Sequence, residues 1–342
     1  MDRRQALTQL GAATLTTAGF ASAWAQPAAP TPHATAKPLV TAPFRGARLA
    51  KLVLSGPPAS VSTPLIHMVE SNALSDVAEQ VSFVAWKDPD QLRLMALGGK
   101  ADFLAMPSNV AANLYNKGVP VKLINISTWG VLWMVSRNGT AKTLADFKGQ
   151  EIAMPFREDM PDLVFALLAE KQGLNPKTDF KLRYVASPLD AMQLLVTRRV
   201  DHALLAEPAV SMALRKTQSF PVSVVAPTLF RSVDLQQEWG RLFHTRPRLP
   251  QAGVAAVGSR ASDAALQTRV ADAYARSLAW CMAHKAEAGA MVAKRIELLS
   301  PEAVADSLTV SQMEAVPASR ARADLESFYT QLHQRNPALV GG

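Results

Sequence analysis

The sequence predicts an α/β protein built as two lobes. Three observations carry that reading. Strand-like and helix-like segments alternate along most of the chain from Arg48 onward, which sets it apart from separate all-α and all-β blocks. The chain has 342 residues, 49% of them hydrophobic, enough to fill two cores. The alternation breaks at Ser127-Thr128-Trp129-Gly130, where one strand leads into the next with no helix between them. Such a break suggests a crossover from one sheet to another.

Taken in order, residues 49–54 form an apolar β-type run, followed by the turn Ser55-Gly56-Pro57-Pro58-Ala59-Ser60-Val61-Ser62-Thr63. A helix opens at Pro64 and runs through Leu74, with the Thr63 side-chain oxygen at the cap and proline at the first helical position. A strand over 81–86, a helix over 90–97 and a strand over 101–106 follow. Pro107-Ser108-Asn109 then caps a helix to about Lys117, and 121–126 is a fourth strand. After the break come a strand over 131–136 and a second round of alternation. That round comprises a strand over 151–154, the loop Pro155-Phe156-Arg157-Glu158-Asp159-Met160-Pro161, and a helix over 162–172. It continues with a strand over 181–186, a helix from Ser187-Pro188 to about Thr197, a strand over 202–205, a helix from Glu207-Pro208 to Lys216 and a strand over 222–225. Residues 227–250 are poorly periodic and receive no element. Residues 252–257 are strand-like, 264–296 helical, and 303–310 and 321–333 form the last helices. Parallel strands with right-handed crossovers place all strand-to-helix loops at one edge of each sheet. Two such edges facing each other make a cleft, with the Phe156–Pro161 loop on its rim.

The N-terminus carries an address. Asp2-Arg3-Arg4 precedes an apolar stretch from Leu10 to Phe20, and Ala21-Ser22-Ala23 and Ala23-Trp24-Ala25 supply small-x-small cleavage sites. Residues 1–25 are therefore expected to be an export signal. The paired arginines resemble the twin-arginine type, although Asp2 and Ala6 stand where that pattern has Ser/Thr and Phe; an ordinary secretory signal is the alternative. Residues 26–47, rich in Ala, Pro and Thr, are expected to be a disordered leader. The net charge of +8 is scattered rather than striped, and no nucleic-acid-binding motif surrounds the short Arg clusters, so no nucleic-acid partner is expected. Cys281 is the single cysteine, which excludes an intramolecular disulfide.

Candidate binding residues lie where strands hand over to helices. Helix N-termini offer uncapped N–H groups and the positive end of a dipole, suited to an oxyanion. Ser60, Ser62, Ser108, Asn109, Asp159 and Glu207 sit at such junctions. The alternative for each is that it only caps its own helix. Arg157 could grip a carboxylate or sulfonate bidentately, or form a solvated pair with Glu158 or Asp159. Asp159, Asp162 and Glu207 count against a purely anionic ligand and would suit an amine. Trp129, Phe156 and Met160 could cover a flat or apolar part of a ligand, or pack inward as core, and Thr128 beside Trp129 is a further candidate. His67 with Glu70 and His284 with Glu287 each lack a third partner, so no metal site and no cofactor is expected. The chain has no G-x-S-x-G elbow, phosphate loop or dinucleotide fingerprint, and is not expected to be an enzyme.

The leader, the Gly56–Pro64 turn, Ala101-Asp102-Phe103-Leu104-Ala105-Met106-Pro107-Ser108-Asn109, the Leu144-Ala145-Asp146-Phe147-Lys148-Gly149 phrase and Val200-Asp201-His202-Ala203 together resemble the periplasmic substrate-binding proteins of ABC importers. The similarity is to the nitrate/sulfonate/taurine and pyrimidine-precursor branch, and it is best from Arg48 to Lys216. It implies a type 2 periplasmic-binding fold, two doubly wound lobes joined by a hinge with the ligand cleft between them. The implied division is lobe 1 over 48–130, lobe 2 over 131–248, and a return to lobe 1 with C-terminal helices over 249–342. The implied role is that of a soluble, monomeric periplasmic receptor, not lipid-anchored. It would deliver a small organic, anionic molecule to an ABC permease in the membrane. A periplasmic ligand sensor and an exported enzyme on the same fold are the alternatives. Pyrimidine-precursor synthases of this fold carry a cysteine-rich motif that Cys281 alone does not supply. This reading expects Arg157→Ala to weaken ligand binding. It also expects Arg3→Lys with Arg4→Lys to block export, as read by loss of the mature protein from the periplasmic fraction.

Overall fold

The computed structural model of the chain describes residues 44–225 and 228–342. The expected export signal and the leader up to residue 43 lie outside the described residues.

The first half of the chain is β1 (Leu49–Gly56), α1 (Thr63–Glu70), β2 (Ala78–Ala85), α2 (Pro89–Leu97), β3 (Phe103–Pro107), α3 (Ser108–Asn116), β4 (Val121–Leu123), β5 (Asn125–Gly130) and β6 (Leu132–Ser136). It continues with β7 (Glu151–Pro155), α4 (Met160–Lys171), β8 (Lys181–Val185), α5 (Pro188–Val196), β9 (His202–Ala206), α6 (Ala209–Gln218) and α7 (Val222–Val225). The remainder is β10 (Phe230–Asp234), α8 (Leu235–Phe243), β11 (Ala252–Val257), α9 (Ala264–Ala283), α10 (Lys285–Arg295), α11 (Pro301–Val310), β12 (Gln312–Pro317) and α12 (Arg322–Arg335). One sheet runs β12-β5-β11-β3-β1-β2 with β4 beside β11, and the other runs β10-β6-β9-β7-β8.

Several expectations change, among them an unexpected strand at β12 and the division of the helix expected over 264–296 into α9 and α10. Residues 222–225 are a short helix, not a strand. The segment 227–250 holds an edge strand and a helix. β10 pairs antiparallel with β6 through an irregular register between Arg231 and Val233, which erases its alternation, and Asp234 caps α8 by accepting from the Gln236 and Gln237 N–H groups. Residues 121–126 split into β4 and β5, because Ile124 donates to Val254 O while Asn125 turns its side chain to accept from Val254 N–H. The sheets are also mixed rather than parallel. β1 pairs parallel with β2 and β3, and β7 with β8 and β9, whereas β11 and β6 run antiparallel to β3 and β9.

Those antiparallel strands are what join the sheets. The chain passes from β5 to β6 through Gly130-Val131, and returns from α8 to β11 through residues 244–251. The two passages pair with each other: Leu249 N–H donates to Trp129 O at 2.8 Å and Gln251 N–H to Thr128 O at 3.0 Å. Side-chain amides complete the ladder. Gln251 Oε1 accepts from Val131 N–H at 3.1 Å, and Gln236 both accepts from Leu132 N–H and donates to Leu132 O. A Cβ at Gly130 would stand 2.6 Å from Gln236 Cγ, so the close approach requires glycine there.

Each sheet is covered on both faces by helices, as a doubly wound sheet requires. α1 and α9 cover one face of the first sheet around Leu52, Leu54, Phe103 and Tyr274, and α2 and α3 the other around Leu92, Leu104 and Val110. α12 reaches both lobes. Phe328 and Leu332 are buried with Phe165 and Trp239 of the second, while Tyr329 Oη donates to Ser108 O of the first. On another side of the molecule, α11 packs on α6, with Arg215 held by Asp306.

Gly253, in β11, faces the Asn125 carbonyl so closely that an added Cβ would lie 1.9 Å from its oxygen. Backbone cannot yield there without parting β11 from β5. Gly253→Ala is expected to destabilise the protein by about 3 kcal/mol, the upper range for overpacking, read as a lowered denaturant midpoint.

Candidate functional site

The carboxyl ends of β1, β2 and β3 face those of β7, β8 and β9 across a cavity of about 120 Å³. Each parallel strand contributes the residues that follow it. These are Pro57 to Val61 after β1, Trp86 and Lys87 after β2, Pro107 ending β3, Phe156 and Asp159 to Pro161 after β7, Ser187 to Leu189 after β8, and Glu207 after β9. The two passages between sheets form its back through Thr128, Val131, Leu132 and Gln251. An apolar cavity of about 150 Å³ holds benzene, so this one is sized for a compact molecule. Its walls are mainly proline, aliphatic and aromatic side chains, with few polar groups.

The loop after β7 delivers the main polar group. Phe156 and Glu158 have φ of 57° and 59°, a left-handed conformation that bulky residues avoid. The Asp162 carboxylate holds this turn: Oδ2 accepts from Glu158 N–H at 2.8 Å, and Oδ1 from Tyr184 Oη at 3.3 Å. Asp159 N–H donates back to Phe156 O. The result brings Phe156, Asp159, Met160 and Pro161 to the cavity. Asp159 is 4% exposed. Its Oδ2 accepts from Arg93 of α2 at 2.9 Å, an ion pair between the lobes, and its Oδ1 has no hydrogen-bond partner. Burial raises the Asp159 carboxyl above the usual carboxylate range, with Arg93 partly opposing the shift. Burial likewise raises Asp162. Tyr184 is pushed up to about 12 by burial and by Asp162.

Of the residues expected from the sequence, Ser60, Thr128, Phe156, Asp159, Met160 and Glu207 line the cavity. Ser60 is 3% exposed and its Oγ is unpartnered. Glu207 is fully buried and already engaged, since Oε1 accepts from Arg231 at 2.7 Å and Oε2 from the Ser211 N–H and hydroxyl. It closes the cavity wall and fixes the start of α6.

Five others lie elsewhere. Ser62 Oγ donates to Pro57 O, shaping the turn, and Ser108 Oγ donates to Pro250 O, pinning α3 to the return passage. Asn109 is buried in the first turn of α3 and does not line the cavity. Trp129 packs with Ile126, Ala321 and Leu325, donates Nε1 to Glu314 O and is covered by the Arg248 guanidinium 4.2 Å from its ring centroid. Residue alternation in β5 explains the pair: Thr128 faces the cavity and Trp129 the opposite side. Arg157 is exposed, lies over the Tyr184 ring at 5.2 Å and lines an outer groove, not the cavity. The left-handed residues on either side of it turn it outward.

Sequence reasoning missed Trp86, Arg93, Gln236 and Gln251. Trp86 ends a strand ahead of Lys-Asp-Pro, a position that could have been read; it anchors by donating Nε1 to Ala105 O. The others carry no local signal, because their partners are 66 to 120 residues away. Among the described residues no group of three His, Cys, Asp or Glu side chains could hold a metal ion, and no helix is long and apolar enough to cross a membrane. Cys281 is buried, and its thiol is pushed up to about 12.

No protein-family model matches the sequence, and no curated protein matches it. Solved structures do resemble the fold. An ABC transporter protein from Parabacteroides distasonis is 21% identical, with TM-score 0.68 over 86% of this chain and 95% of that one. The periplasmic aliphatic sulphonate binding protein SsuA of Escherichia coli is 17% identical, with TM-score 0.61 over 83% and 88%. The periplasmic nitrate-binding protein NrtA of Synechocystis PCC 6803 is 14% identical, with TM-score 0.60 over 75% and 69%. The chain thus has the two-lobed α/β fold of these periplasmic binding proteins.

Because Arg157 stands outside the cavity, the expectation attached to it reverses. Arg157→Ala is expected to leave the affinity for any cavity ligand within about twofold, by titration calorimetry, since an exposed cation contributes little.

Proposed function

We propose that this chain is an exported periplasmic receptor that captures a small organic molecule between its lobes and hands it to an ABC permease. The observation that carries this reading is the meeting of six parallel-strand ends, three from each sheet, at one cavity. A molecule held there touches both lobes. It therefore binds the closed arrangement better than an open one and shifts the population toward closure by that difference. The passages at residues 130–131 and 244–251 are the segments about which the lobes would move, and the Arg93–Asp159 pair spans the cleft. The permease would then distinguish the closed from the open shape. The fold shared with SsuA and NrtA supports this role, and both are binding proteins rather than enzymes by description. The protein acts on this reading as a monomer, without catalysis.

The test is reconstitution with a candidate ABC permease and its ATPase. A cavity ligand is expected to raise the thermal midpoint of the mature protein, by about 2.7 kcal/mol of stability at a hundredfold excess over Kd. The loaded protein is expected to stimulate ATP hydrolysis by the reconstituted permease. A ligand that stabilises the protein without stimulating ATP hydrolysis would count against the receptor reading.

A further inference from the structure

The chemistry of the cavity narrows its ligand. The strand-to-helix junctions and the basic composition lead to an expectation of an anion, yet the charged groups are arranged against one. The two acids that line the cavity are Asp159 and Glu207, and the two arginines that could have faced it are spent behind them. Arg93 is turned to Asp159 Oδ2 and also lies 3.7 Å from Asp90. Arg231 is turned to Glu207 Oε1 and the Ser211 hydroxyl. Lys87 is the remaining cation on the lining, and it is exposed at the rim, where water screens it.

Two of the residues on the lining each carry a buried polar atom without a hydrogen-bond partner, Asp159 Oδ1 and Ser60 Oγ. They come from opposite lobes. A carboxylate oxygen without a donor in an apolar enclosure carries the full cost of its lost hydration. A ligand that donates a hydrogen bond to it recovers that cost on binding, whereas an oxyanion offers only acceptors and adds like charge. The Asp159–Arg93 pair is already neutral overall, so the missing element is a donor rather than a net charge.

We infer, on the basis of the receptor reading above, that the cavity takes a compact, largely apolar molecule presenting an N–H donor to Asp159 Oδ1, and not a sulfonate, nitrate or carboxylate. Apolar side chains including Trp86, Leu92, Met106, Phe156 and Leu189 would enclose its body. The Ser60 hydroxyl, free to donate or accept, would meet a second polar atom on the lobe 1 side.

The test is a matched probe series on the mature protein, read by thermal shift and calorimetry: benzylamine, benzamide, benzoate, ethanesulfonate and nitrate. Benzylamine or benzamide is expected to bind at least tenfold more tightly than benzoate, which has the same ring and no donor. The choice between the first two tells an ammonium from a neutral amide. Asp159→Ala is expected to erase that preference, and Arg157→Ala, outside the cavity, to leave it within about twofold. Because the series is run first on the parent protein, the outcome does not depend on a variant folding. Tighter binding of benzoate, ethanesulfonate or nitrate than of both N–H probes overturns the inference, as does binding of neither N–H probe. If an oxyanion binds and stimulates the permease, the ligand class fails while the receptor reading stands. If an N–H probe binds through Asp159 and the permease stays silent, the receptor reading fails while the ligand class stands.

Discussion

Between its two sheets the backbone crosses twice, and the two crossings are hydrogen-bonded to each other. Leu249 and Gln251 N–H groups donate to the Trp129 and Thr128 carbonyls, and the side chains of Gln236 and Gln251 satisfy the amides of Val131 and Leu132 that no strand can reach. Buried backbone polar groups must find partners, so this short ladder fixes how one sheet continues into the other. Since β6 and β11 run antiparallel to their parallel neighbours, each begins at the edge where those neighbours end. The cavity follows from that geometry: six strand ends meet because the crossings leave them facing.

Some of the phrases that make the sequence recognisable line the cavity, as the Gly56–Pro64 turn does through Pro57 to Val61, while the acids of two others build the fold. Asp102, in the Ala-Asp-Phe phrase, accepts from Val53 N–H at 2.7 Å and from Arg260 at 2.8 Å, tying β1 to the segment after β11. Asp146, in the Leu-x-Asp-Phe-Lys-Gly phrase, accepts from the Lys142 and Thr143 N–H groups and closes a capping box; those N–H groups hold its carboxyl below the usual range. Polar residues with structural duties have few substitutes, because only a short carboxylate reaches both donors. A shared fold with sulfonate- and nitrate-binding proteins does not by itself carry their ligands with it.

Two carboxylates on the cavity lining illustrate how neighbours decide chemistry. Glu207 and Asp159 each begin a helix and each meet an arginine from a distant element. Glu207 has both oxygens occupied, so it is a finished part of the wall. Asp159 has one oxygen paired with Arg93 and one buried without a hydrogen-bond partner, beside the strained Phe156–Glu158 turn. Strain of this kind persists where the surroundings over-determine it, and here Asp162 and Tyr184 supply that support.

The sequence by itself determined the alternation of elements, the break at Ser127–Gly130, the two-lobed class and the loops that would meet, because periodicity, caps and prolines are local properties. Ser60, Thr128, Phe156, Asp159, Met160 and Glu207, singled out from the sequence, line the cavity. The tertiary structure alone decided which way each side chain turned. Arg157 was turned outward by two left-handed neighbours, Trp129 was buried under Arg248 and α12, and Ser62 and Ser108 were spent on backbone carbonyls. The strands β10 and β12 were illegible because edge strands with irregular register lose their alternation. The pairing of Arg93 with Asp159 across 66 residues was equally illegible. A charge in a sequence is only a charge, and whether it awaits a ligand depends on what the fold has already placed beside it.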